Sequence, residues 1–101
     1  MFDLARFDLA LFEESAGRAA ARLRLLGNEK RLMVLCQLAD EELSVGELQR
    51  RVGLSQSALS QHLALLREEG VVSTRRESQT IHYRIADPRV MALLDAGDIV
   101  E

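Results

Sequence analysis

Four residues invite a chemical reading before any other: Gln56, Ser57, Ser60 and Gln61, spaced so that amides and hydroxyls share one face near the start of a helix. A glutamine amide can pair two-pronged with an adenine edge and a serine hydroxyl bonds to most base edges, so their shared chemistry is the reading of DNA in a groove. A solvated helix face more often carries Glu and Lys, which are better helix formers than Ser. The groups that nucleophilic, phosphoryl or metal chemistry requires are not assembled. His62, His82 and Cys36 lie far apart in sequence, with no nucleophile elbow, glycine-rich phosphate loop or carboxylate pair beside them. The chain reads as a non-enzyme, with no cofactor and no metal.

The segment Ser44–Gly70, SVGELQRRVGLSQSALSQHLALLREEG, positions those residues. Ser44 with Glu47 is a capping box that starts a helix turning Val45, Leu48 and Val52 inward, and Gly53 stops it. Ser55 opens a second helix, and Ala58, Leu59, His62, Leu63 and Leu66 form its core face up to the exit at Gly70. Two helices around a short glycine turn are a helix-turn-helix. Ser55 and Arg67, at the two ends of the second helix, are placed to meet phosphate.

After Gly70 the hydrophobic period drops from 3.6 to 2. Two β-rich runs, about 71–76 and 80–85, flank a Glu77, Ser78, Gln79 tip, with Val72, Thr74, Ile81, Tyr83 and Ile85 alternating with Ser73, Arg75, His82 and Arg84. Such a hairpin behind a reading helix is a wing, with Arg75, Arg76 and Gln79 near the DNA backbone or minor groove.

Upstream, Asp8 to Leu26 reads as a helix with Leu9, Phe12, Ala16, Ala19, Ala20, Leu23 and Leu26 at spacings of three and four. With Phe2, Leu4, Phe7 and Leu11 the apolar surface exceeds one stripe, which leaves two readings: packing on its own core, or meeting another chain. Asn28 caps a core helix, EKRLMVLCQLA, that turns Leu32, Leu35, Cys36 and Ala39 to one face. Lys30 and Arg31 there reach either phosphate or an intramolecular partner. Asp40 to Leu43 reads as an acidic connection. Asp87 and Pro88 start a last helix with Val90, Met91, Leu93 and Leu94.

The 101 residues suffice for one domain with a single core, and with 4 percent aromatics and no Trp that core is aliphatic, as suits helices. One cysteine precludes an internal disulfide. The acidic, interrupted N-terminal stretch is neither signal peptide nor membrane span, so the expected location is the cytoplasm. The net charge of −3 hides an asymmetry: residues 44–85 hold six basic and four acidic groups, whereas 86–101 hold one and four. The positive excess sits on the reading unit, where the local field governs DNA binding.

The element order and the strings NEKRLMVL, ELSVGEL, LSQSALSQHLALLREEGVV and HYRI resemble the ArsR-type winged helix-turn-helix transcriptional repressors over nearly the whole chain. The resemblance is nearest to the non-metal branch typified by HlyU, BigR and NolR. It implies a mainly α fold with a β-hairpin wing, of order α-α-α-α-β-β-α over residues 1–101, working as a homodimer on double-stranded DNA at an inverted-repeat operator. First and last helices would join the dimer, with Leu9, Phe12, Ala16, Met91 and Leu94 at the interface. The thiolate pair of the family's soft-metal sensors is replaced by Ser44 and Gly46, and the Asp-x-His pair of its zinc sensors keeps Asp87 but has Arg89 for the His. Cys36 matches a helix cysteine of the branch's thiol sensors, whose second cysteine would align just past Glu101. Sensing and simple packing both stay open for Cys36. The rival to DNA reading is a winged-helix module that binds another protein.

Overall fold

The structure is a computed structural model that describes residues 9–95. Phe2, Leu4, Phe7 and Gly97 lie outside that range, as do the side chains of Leu11 and Phe12. Among the described residues, five helices and three short strands follow in the order α1 (Leu9–Leu26), α2 (Glu29–Leu38), β1 (Leu43–Ser44), α3 (Val45–Val52), α4 (Gln56–Glu68), β2 (Val72–Glu77), β3 (Thr80–Ile85) and α5 (Pro88–Asp95).

The core is aliphatic. Val34, Leu35 and Leu38 of α2, Leu48 and Val52 of α3, and Leu59, Leu63 and Leu66 of α4 bury against Leu43, Val71, Val72, Ile85 and Val90. Each fully buried leucine withdraws a side chain worth roughly 1.5–3 kcal/mol from water, so this cluster is the principal force holding α4 in place. Local signals agree with the packing. The Asn28 side chain accepts from the Arg31 amide at 3.0 Å to start α2. Gly70 adopts φ +76°, and the amide of Val71 closes α4 onto the Leu66 carbonyl at 2.9 Å.

Three features depart from the sequence reading. The acidic connection holds a strand: β1 pairs antiparallel with β3, Leu43 opposite Tyr83 and Ser44 opposite His82, giving a sheet of order β1-β3-β2. Two residues are too few for an alternation pattern, so the pairing edge on β3 creates this strand rather than local propensity. Second, the buried face of α2 is Val34, Leu35 and Leu38, while Leu32, Cys36 and Ala39 are only half-buried. Third, Glu77 pairs with Thr80, so the wing turns through Ser78 and Gln79 alone, with Ser78 at φ +59°. A positive φ at the turn matches the right-handed twist of the flanking strands.

Among the described residues, helix α1 supplies only Leu25 to the buried core, with Leu26 packed beside it; Leu9 and Leu23 are 59% and 65% exposed. The described molecule measures 52 × 28 × 21 Å. An ion pair ties α1 to the far end of the chain: Arg22 Nη1 donates to Asp87 Oδ2 at 2.6 Å. Asp87 is buried, accepts also from the Arg89 amide at 2.9 Å as the cap of α5, and takes the Arg89 guanidinium at 3.1 and 3.2 Å. Its carboxyl is held below the ordinary range first by the Arg89 side-chain hydrogen bond, with burial opposing and Arg22 adding to the effect.

Candidate nucleic-acid interface

Helix α3 begins where the sequence places it. The Glu47 amide donates to Ser44 Oγ at 3.2 Å and the Ser44 amide to Glu47 Oε1 at 2.9 Å, a reciprocal box that also lowers the Glu47 pKa through those bonds. Gly53 takes φ +70° and its amide donates to the Gln49 carbonyl at 3.0 Å. Ser55 Oγ then accepts from the Ala58 amide at 3.2 Å, and α4 runs on for 13 residues with no acidic residue in its first turn. The positive end of its dipole is therefore uncompensated, which favours an anion there.

Burial of Leu59, Leu63 and Leu66 turns the opposite side of α4 outward, and Gln56, Ser57, Ser60, Gln61 and Arg67 are all exposed. Ser55 Oγ lies 3.4 Å from Ser57 Oγ. The polar group that spacing marked is thus one continuous exposed surface at the N-terminal half of the helix. His62 is on the inner side, half-buried, and desolvation with the nearby Arg31 charge lowers its pKa.

The wing stands behind α4. Arg76 Nε donates to the Ser78 carbonyl at 3.1 Å, which leaves both terminal nitrogens without a partner among the described residues, and Gln79 is exposed at the turn. Arg75 is placed differently, bound to Glu42 and Glu77. Nothing in the sequence pairs Glu42 with a residue 33 positions away, and Arg22 with Asp87 was equally invisible. Arg31 does not point outward: its Nε donates to the Leu25 carbonyl at 2.7 Å and Nη2 to that of Arg24 at 3.5 Å, satisfying the C-terminus of α1. Arg50, exposed on α3, is a cation the sequence reading passed over.

Of the residues expected at a subunit interface, Leu9 and Ala16 are exposed, whereas Met91 and Leu94 pack against the core of their own chain and Leu93 is the exposed leucine of α5. An open groove of about 860 Å³ runs between α1 and α5, with Ala19, Leu23, Val90 and Leu93 in its walls. Cys36 is half-buried, and burial pushes its thiol pKa up. Among the described residues no three His, Cys, Asp or Glu side chains come together to hold a metal ion, and no helix is long and apolar enough to cross a membrane.

Residues 28–74, which span α2, the helix-turn-helix and the start of the wing, match the model of the arsR family of bacterial regulatory proteins. Over 91 residues the chain is 48% identical to the transcriptional activator HlyU of Vibrio cholerae serotype O1, covering 90% of this chain and 84% of that one. The chain belongs to the ArsR family. It is 42% identical to the biofilm growth-associated repressor of Agrobacterium fabrum, across 93% of this chain and 80% of that protein. The structure of reduced HlyU from Vibrio cholerae superposes with a TM-score of 0.81 at 49% identity, covering 87% of this chain and 93% of the other. This ArsR-family member is accordingly a winged-helix transcription regulator and not an enzyme. HlyU, NolR and the biofilm growth-associated repressor, the branch that the sequence strings suggested, are among its relatives.

Proposed function

We propose that this ArsR-family regulator binds an inverted-repeat operator in the cytoplasm as a homodimer and represses by occupying promoter DNA. Gln56, Ser57, Ser60 and Gln61 read base edges in the major groove. Ser55 and the α4 N-terminus meet phosphate, Arg67 engages the backbone at the far end of the helix, and Arg76 with Gln79 carries the wing to the flanking minor groove or backbone. The observation that carries this reading is the exposed Gln and Ser surface at an uncompensated helix N-terminus, with a β-hairpin wing following the same helix.

The dimer rests on the exposed Leu9, Ala16 and Leu23 of α1 and Leu93 of α5, surface that a second copy would cover, with Phe12, Met91 and Leu94 as the further interface residues. No metal or cofactor takes part. The raised pKa of Cys36 favours a packing role over sensing, because the thiolate is the reactive form.

A mobility-shift titration of the protein on its own promoter region tests the reading, with a retarded band at nanomolar protein the expected result. A folded protein that shifts nothing at low salt would instead favour a protein-binding module.

A further inference from the structure

We infer that Arg75 is a positioning residue that braces the wing to the start of the helix-turn-helix through Glu42, and that it is not itself a DNA contact. The inference rests on the DNA-binding reading above.

Glu42 immediately precedes β1, whose Ser44 caps α3. The register puts Ser44 opposite His82 and His82 opposite Arg75, so Glu42, Ser44, His82, Arg84, Ser73 and Arg75 share one face of the sheet. Arg75 reaches across β3 on that face. Its Nε and Nη2 donate to Glu42 Oε1 at 2.9 and 2.6 Å, and its Nη1 donates to Glu77 Oε2 at 3.3 Å. Each of the three guanidinium nitrogens therefore donates to a carboxylate, whereas Arg76, the next residue, uses only Nε among the described residues.

A phosphate approaching Arg75 would meet the negative charge of two carboxylates already paired with it, which opposes the contact. The side chains of Arg75 and Glu42 are 48% and 29% exposed, so the pair adds little to global stability. What it fixes is direction. Glu42 connects through Leu43 and Ser44 to α3, so the brace sets the angle between the wing and the two helices, and with it the distance from Arg76 to the groove that α4 enters. Arg84, on the same face, adds its positive charge to that of Arg75 around Glu42.

The test titrates a labelled operator duplex by fluorescence anisotropy across a salt series. Glu42→Gln and Arg75→Gln should each weaken binding about threefold to tenfold, as expected for one lost coupling of this kind. Neither should change the slope of log affinity against log salt, because no phosphate contact is lost. Arg75→Glu combined with Glu42→Arg should restore binding to within about twofold, the size of the additivity error between paired substitutions. Tighter binding by Glu42→Gln, a slope reduced by about one in Arg75→Gln, or an unrescued swap in a folded protein would each overturn the inference. Hydrogen exchange of the β2 and β3 amides in the free protein separates the brace from the DNA reading. If the unmodified protein binds no operator, the DNA reading fails alone, and the brace stands only if Glu42→Gln speeds that exchange.

Discussion

Removing the Asp87 carboxylate should loosen both ends of the chain at once, because this buried group caps α5 and holds α1 through Arg22. The cap is worth about 1 kcal/mol. The 2.6 Å bond from Arg22 to a buried carboxylate is charge-assisted and contributes about 1.5–3 kcal/mol. The Arg89 guanidinium is the largest cause of the lowered Asp87 pKa, but with its side chain 74% exposed, solvent screens its share of the stability. Asp87→Ala should therefore lose about 2.5–4 kcal/mol, a fall of about 1–4 M in the urea midpoint at a slope of about 1–3 kcal/mol/M. Asp87→Asn keeps the cap and an acceptor for Arg22, so it should lose roughly half as much. Chemical denaturation at fixed protein concentration measures both, since dimerisation would make the midpoint concentration-dependent.

The same carboxylate carries a pH signature. The folded carboxyl titrates below the unfolded value of about 3.9, so its contribution is complete above that pH and is lost as pH falls through the lowered folded value. The stability of the unmodified protein minus that of Asp87→Asn should be flat from about pH 5 to 7, one unit and more above the unfolded pKa, and should close below about pH 4. An Asp87→Ala variant within about 0.5 kcal/mol of the unmodified protein, the range of ordinary surface changes, would show that Asp87 does not hold the two ends. So would an Asp87→Asn variant that costs as much as Asp87→Ala.

Gly53→Ala forces a side chain into φ +70° where nothing crowds it, so strain alone should cost about 1–2 kcal/mol, read as a lower urea midpoint with operator preference retained. Gln56→Ala should reduce the ratio of operator to random-duplex affinity, whereas Arg76→Ala should weaken both and reduce the salt slope by about one. Equal loss on both duplexes for Gln56→Ala would remove it from the base readers. For Cys36, the rate of alkylation against pH should rise with a midpoint above the value of about 8.5 for a free thiol, and a midpoint below it would point to an activated sensor.

What was legible in the sequence was local. The Ser44–Glu47 box, the Gly53 stop, the Ser55 cap and the Gly70 exit are each fixed by residues within four positions, and all four stand in the structure. The face of α4 followed because Leu59, Leu63 and Leu66 leave one side for the polar residues. What escaped is long-range. Strand β1 exists because β3 offers it an edge, and Glu42 with Arg75 and Arg22 with Asp87 are charge pairs among many equivalent combinations of a charged surface. On α2 the apolar residues run almost all round, so periodicity did not single out Val34 and Leu38 over Leu32 and Cys36.

Whether the exposed face of α4 reads sequence from a dimer is decided by titrating the protein against a duplex bearing its operator and against the same duplex with both half-sites scrambled. Both titrations are run at one fixed salt concentration, with the mass of the complex measured alongside. Two chains per duplex are expected, with operator binding at least about 10³-fold tighter, the lower end for specific recognition. A single bound chain, or equal affinity for the two duplexes, would contradict this reading of α4.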